Sequence, residues 1–177
     1  MVSVHREENV DLPERLRMIL EIFKELEKTY DKPVIVSTHP RTRKRLEALG
    51  VNLDNERTRF LKPFGFCDFV QLQQKAFCTI SDSGTISEES AILNFPAITL
   101  RNSMERPEAL DAGTIALTGF DTQTVLASIE IAVREHDIKK QSKIPADYQV
   151  PDTSRRVLRL IAGTCKLSNH WLGIEGM

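Results

Sequence analysis

The stretch Ser81-Asp82-Ser83-Gly84-Thr85-Ile86-Ser87-Glu88-Glu89 sets a glycine between two hydroxyl residues and follows it with paired carboxylates. A short apolar run, Phe77-Cys78-Thr79-Ile80, leads in, and a helical run, Ile86 to Leu93, leads out. The pattern is a strand delivering the chain to a helix N-terminus. Such a terminus offers backbone N–H groups without intrahelical partners and the positive end of the helix dipole. A small residue lets a phosphate come close, so Gly84 with the Ser83 and Thr85 hydroxyls forms a candidate anion cradle. Glu89, further along the helix, can accept hydrogen bonds from sugar hydroxyls. The same residues also suit a plain capped helix with Glu88 and Glu89 near its positive end.

Three more clusters carry suitable chemistry. In Arg101-Asn102-Ser103-Met104-Glu105-Arg106-Pro107-Glu108, the Arg106 fork can hold a phosphate or carboxylate, steadied by Glu105 and Glu108; a salt-bridged surface loop is the alternative. His5-Arg6-Glu7-Glu8-Asn9 can form a proton donor or phosphate clamp, or a solvated charged turn. In Ser37-Thr38-His39-Pro40-Arg41, His39 is fixed by its proline neighbour and suits either a ligand contact or a turn. Of Phe64, Phe66 and Phe69, one can stack on a base, with core packing the default for all three. His136 and His170 read as surface residues.

Alternating short and long periodic segments position these clusters. Val2 to Val4, Val34 to Ser37, Arg59 to Leu61, Phe77 to Ile80, Ala97 to Leu100 and Thr114 to Leu117 read as strands. Between them, Leu16, Ile19, Leu20, Phe23 and Leu26 mark a helix with Asp11 as N-cap and Pro13 in its first turn. Arg41 to Leu49, Phe66 to Gln74 and Ile86 to Leu93 read as further helices, and Asp121 caps a last amphipathic one. Lys139 to Pro151 reads as a linker and Ser154 to Ile161 as a terminal helix, dividing the chain at 1–150 and 151–177. Strands alternating with helices predict an α/β fold, a Rossmann-like parallel sheet with helices on both faces. Ligands bind such sheets at the carboxyl ends of the strands, where every cluster above falls.

Composition narrows the partners. The 177 residues carry a formal net charge of −1, so no global field favours nucleic acid or an anionic membrane. Three cysteines, Cys67, Cys78 and Cys165, lack metal-site spacing; Cys67 and Cys78 sit among apolar residues and read as buried free thiols. A reducing, cytoplasmic setting fits, and no metal site is expected. The apolar stub Met1 to Val4 running straight into charge resembles an entry into the middle of a sheet protein.

Taken together, the clusters resemble the non-hydrolysing UDP-N-acetylglucosamine 2-epimerases in order and spacing. The resemblance rests on His5 to Asn9, Ser37 to Pro40, Ser81 to Glu89, Glu105 to Glu108 and Gly113-Thr114, and covers roughly residues 2 to 135. It implies one half of a two-domain glycosyltransferase-B type fold, the C-terminal half, with the active site in the interdomain cleft. It implies that Ser83, Gly84 and Thr85 bind the diphosphate, Glu89 the ribose, Arg106 and Arg6 phosphate, and Phe69 uracil. His5 and His39 would face the cleft as catalytic groups. No cofactor is implied. The partners implied are a UDP-sugar, the family's N-terminal domain, whose carboxylates and basic residues do not precede Val2, and possible homodimerisation. The chain would then be a domain piece, a split gene product or a truncated reading frame, binding UDP weakly and inactive alone. Ser83-Gly84-Thr85 in place of Ser-Gly-Gly, together with Ser37-Thr38-His39-Pro40-Arg41-Thr42-Arg43, resembles the capsule and O-antigen branch, which forms UDP-N-acetyl-L-fucosamine from a UDP-2-acetamido-2,6-dideoxy-L-talose. A glycosyltransferase-B type sugar-transfer domain and a non-catalytic remnant are the competing expectations.

Overall fold

The structure is a computed structural model describing residues 1–53, 55–138 and 144–173. Six strands, β1 (Val2–Ser3), β2 (Val34–Ser37), β3 (Thr58–Leu61), β4 (Thr79–Ser81), β5 (Ala97–Thr99) and β6 (Ala116–Leu117), form one sheet in the order β3-β2-β1-β4-β5-β6. Every pairing is parallel, with Val2 opposite both Val36 and Ile80, and Ile98 opposite Ile80 and Ala116. Central strands bury both faces, so Val2, Val36, Ile80 and Ile98 are all core residues. At the edge, β3 alternates instead: Thr58 and Phe60 are buried, Arg59 and Leu61 exposed.

The helices follow from the same sequence signals. Helix α2 (Pro13–Tyr30) buries Leu16, Ile19, Ile22, Phe23 and Leu26 and ends where Asp31 turns left-handed at φ 47°. Its N-cap is Leu12, not Asp11; the Asp11 carboxylate is drawn away by Arg41 and Arg45 of α3 (Pro40–Ala48). Helices α4 (Phe66–Lys75) and α5 (Ile86–Leu93) carry the chain from β3 to β4 and from β4 to β5. Right-handed crossovers place α2 and α3 on one face of the sheet and α4 and α5 on the other. Helix α7 (Thr122–Asp137) returns to pack beside α2, where the Tyr30 hydroxyl donates to the Leu126 carbonyl at 3.2 Å. Asp121 caps α7 by accepting from the Thr124 N–H at 2.8 Å.

Two short helices near the carboxyl ends of the strands escaped the periodicity. The charged cluster after β1 is a helical turn, α1 (Glu7–Val10), and the segment after Arg106 is α6 (Pro107–Asp111). The thiols divide differently from expectation: Cys78 is buried, while Cys67 stands on the outer side of α4 and is exposed, as is Cys165. Burial pushes the Cys78 thiol up to about 12.

Residues 1–145 form one compact unit and residues 146–177 a second. The expected linker begins at 139–143, outside the described residues. The second unit holds a single 3-10 turn (Ala146–Gln149), α8 (Thr153–Thr164) and α9 (Ser168–Trp171). Val157, Leu158 and Ile161 of α8 are exposed. No helix among the described residues is long and apolar enough to cross a membrane.

Candidate functional site

In this sheet the strand order reverses between β1 and β4, and the crevice at their carboxyl ends is where open α/β sheets bind ligands. Asp82 lies at its floor. Its carboxylate is 0% exposed and accepts from the backbone N–H of His5 at 3.1 Å, the N–H of Arg6 at 2.9 Å and the Asn9 amide at 2.9 Å. One buried anion thus anchors the start of α1, the loop after β1 and the loop after β4. The His5 ring lies beside this carboxylate, with Nδ1 3.4 Å from Asp82 Oδ1.

Glu105 and Arg106 close on Gly84, and an ion-pair network holds both. Arg6 donates both guanidinium Nη groups to Glu105, at 2.7 and 2.8 Å. Arg101, 5% exposed, donates to the same carboxylate at 3.0 Å, and its Nε and Nη1 have no hydrogen-bond partner among the described residues. Arg106 Nε donates to Glu88 on the first turn of α5. A Cβ at Gly84 would lie 3.0 Å from Glu105 Oε2 and 3.2 Å from Arg106 Nη1. The expected support of Arg106 by Glu105 and Glu108 is therefore corrected: Glu88 supplies it, while Glu105 is engaged by Arg6 and Arg101. Bonds from Arg6 first and Arg101 second hold the Glu105 carboxyl down at about 2, and the same bonds push Arg6 up.

The helix N-terminus has an open character. Thr85, the N-cap of α5, makes no side-chain cap hydrogen bond. Its hydroxyl instead pairs with Ser83 Oγ at 3.0 Å, and Ser83 Oγ accepts weakly from the Thr85 N–H at 3.4 Å. First-turn N–H groups of a helix need partners from outside it. The crevice therefore combines a dipole end with three guanidinium groups, an arrangement suited to a polyvalent anion.

Further along α5, Glu89 is half-buried and accepts from the Gln73 amide at 2.6 Å. Phe69, half-buried, precedes Gln73 by four residues on α4; Phe66, at the tip of that helix, is 83% exposed, and Phe64 is half-buried. None of the three belongs to the buried core, so the default of core packing does not hold for them. His39 is the N-cap of α3: its Nδ1 accepts from the Arg41 N–H at 3.2 Å, which leaves the proton on Nε2. The His5 and His39 rings stand 6.4 Å apart. Arg41 also reaches Glu7 and Asp11, tying the start of α3 to α1.

The structure thus brings Arg6, Ser83, Gly84, Thr85 and Arg106 together at one point, with His5 and His39 paired beside the crevice. Sequence reasoning had missed Asp82, Asn9, Gln73, Glu88 and Arg101. Gln73 did leave a signal, a polar residue on the helical stripe Phe66, Phe69, Gln73. A cavity of about 350 Å³ lies at the opposite end of the sheet, between Pro96, Thr114, Ile131 and His136. It sits at the amino ends of β5 and β6, away from the loops that converge on Gly84.

Strand order and an anion-facing crevice at the point of reversal define the class: a Rossmann-like α/β domain, one half of a glycosyltransferase-B type fold. Within that class the chain belongs to the UDP-N-acetylglucosamine 2-epimerase family, whose model matches residues 1–162. It is 37% identical over 164 residues to a UDP-N-acetylglucosamine 2-epimerase of Methanocaldococcus jannaschii, covering 91% of this chain and 43% of that protein. A UDP-2,3-diacetamido-2,3-dideoxy-D-glucuronate 2-epimerase of Pseudomonas aeruginosa is 30% identical over 128 residues, 72% of this chain and 35% of that one. Among solved structures, the M. jannaschii enzyme in complex with UDP-GlcNAc and UDP superposes with a TM-score of 0.82 at 34% identity, over 91% of this chain and 44% of that chain. The Rickettsia bellii enzyme follows at 0.79 and 36%, over 98% and 46%. The chain spans less than half the length of these relatives.

Proposed function

We propose that this chain is the C-terminal, UDP-binding domain of a 2-epimerase that inverts C2 of a UDP-2-acetamido sugar. The observation that carries this is the approach of Arg106 and of Glu105, itself held by Arg6, to Gly84 at the N-terminus of α5. The crystal complex of the M. jannaschii relative with UDP-GlcNAc and UDP supports a uridine nucleotide as the ligand. Ser83, Gly84 and Thr85 take the diphosphate through hydroxyls and backbone N–H groups, with Arg106 and Arg6 completing its charge. Glu89 accepts the ribose hydroxyls, and Phe69 packs against uracil. His5 and His39 face the reacting sugar.

The reaction removes the proton at C2 and expels UDP, forming a glycal, then returns UDP with a proton delivered to the opposite face. Charge develops on the departing diphosphate, where the helix dipole and the guanidinium groups stabilise it. Holding UDP beside the glycal favours re-addition over escape. The acid and base carboxylates at C2 belong to a partner N-terminal domain, so this chain alone binds UDP weakly and turns over nothing. No cofactor takes part; a homodimer of the complete enzyme is compatible with this scheme. The Ser83-Gly84-Thr85 variant favours capsule or O-antigen precursor synthesis in the cytoplasm and the L-fucosamine epimer pair.

Thermal unfolding with UDP tests the assignment. At a UDP concentration one hundred times its dissociation constant, the domain gains about 2.7 kcal/mol. For this size that raises Tm by roughly 5–10 °C. An unchanged Tm at millimolar UDP overturns the assignment in favour of a non-binding remnant, and epimerisation by the purified chain overturns the division of labour.

A further inference from the structure

Gln73 lies on the third turn of α4 and is 1% exposed. Its side-chain oxygen is buried with no hydrogen-bond partner among the described residues, a cost an apolar side chain would not incur. What the amide does make is one bond, Nε2 to Glu89 Oε2 at 2.6 Å. Chemistry sets its orientation, because only the NH₂ end can donate to a carboxylate. The backbone carbonyl of Gln73 also accepts from the Thr79 hydroxyl at 3.3 Å, tying this turn of α4 to the start of β4. The donor is therefore held by the sheet, while Glu89 stands on the neighbouring helix.

We propose that Gln73 is a positioning residue that presents Glu89 to the ribose of the bound nucleotide and so sets the preference for ribonucleotides over deoxyribonucleotides. This rests on the assignment of Glu89 as the ribose acceptor. A glutamate on a helix surface samples several rotamers. With Oε2 pinned from behind, the carboxylate keeps one orientation and Oε1 is left to receive a sugar hydroxyl. A site built to pair with a hydroxyl rejects the analogue lacking it, provided the acceptor is already in place.

The test compares UDP with 2′-deoxy-UDP on the 177-residue chain by ligand-observed NMR titration, using wild type, Gln73→Met, Gln73→Glu and Glu89→Ala. Wild type favours UDP by about tenfold, the value of one hydrogen bond to a charged acceptor. Gln73→Met keeps the fold, and its ratio falls to that of Glu89→Ala, while 2′-deoxy-UDP binds as before. Gln73→Glu sets two carboxylates face to face; its ratio is lost at neutral pH and returns on acidification, when a shared proton replaces the amide donor. A merely structural role would weaken both nucleotides equally and leave the ratio untouched. If wild type discriminates and both Gln73 variants discriminate equally well, the positioning role is wrong and the Glu89 assignment stands. If wild type itself treats the two nucleotides alike, the Glu89 assignment fails and the positioning role with it.

Discussion

Replacing Gly84 with alanine separates ligand binding from folding in a single methyl group. Gly84 lies outside the left-handed region, so alanine meets no backbone strain. The added Cβ would sit 3.0 Å from Glu105 Oε2 and 3.2 Å from Arg106 Nη1, both at the far ends of flexible side chains. Those ends shift by a few tenths of an ångström. Against this, alanine removes unfolded-state entropy worth about 0.4–1 kcal/mol. The two effects oppose each other, and Tm should move by less than about 4 °C. Binding should respond differently, because the methyl occupies the space through which a phosphate oxygen reaches the helix N–H groups. Losing one such bond costs about 1.5–3 kcal/mol, or roughly 10- to 150-fold in affinity. Ligand-observed NMR titration with UDP, and with uridine as a control lacking the diphosphate, measures both consequences. UDP affinity falls while uridine affinity holds. A folded Gly84→Ala protein that binds UDP within about twofold of wild type, or loses uridine equally, refutes the placement of the diphosphate.

Asp82→Asn turns one accepting oxygen into a donor facing the His5, Arg6 and Asn9 donors, and should cost roughly 3 kcal/mol, read as a Tm drop of about 6–12 °C. Glu105 is depressed from 4.5 to about 2, so its clamp stabilises the fold above pH 4.5 and is lost as pH falls through 2. The Tm gap between wild type and Glu105→Gln should accordingly be constant near neutrality and close on acidification; a gap indifferent to pH over that range contradicts the clamp. Ellman titration of the native protein should find Cys67 and Cys165 reactive and Cys78 silent until denaturant is added, since burial raises the Cys78 thiol to about 12; a third fast thiol would show that the β4 edge of the core is open.

Much of this architecture could be read along the chain. Val34–Ser37 and Ile86–Leu93 stand where β-branched and helical periodicity placed them, because buried strands and amphipathic helices write their environment into local residue order. Helices α1 and α6 did not show, since four or five residues are too few to display a period of 3.6. Asp11 looked like a cap, yet two arginines of α3 compete successfully for it. The same limit governs the candidate site. Ser83, Gly84 and the two arginines have types that advertise anion binding. Which carboxylate holds which guanidinium is settled across 99 residues for Arg6 and Glu105, and no linear pattern encodes that pairing. Asp82 was visible within its motif but silent about its role, because complete burial is a property of the packed sheet.

The bonds from His5 to Asp82 span 77 residues of chain. Contacts of such separation form only after intervening segments have collapsed, and their loop-closure entropy slows the step that makes them. A crevice whose floor is stitched by this carboxylate accordingly matures no earlier than the pairing of β1 with β4, which closes the same stretch of chain. A nucleotide added during refolding should leave the folding limb of the chevron nearly unchanged and retard the unfolding limb, so that occupancy prolongs the lifetime of the native state without hastening its arrival.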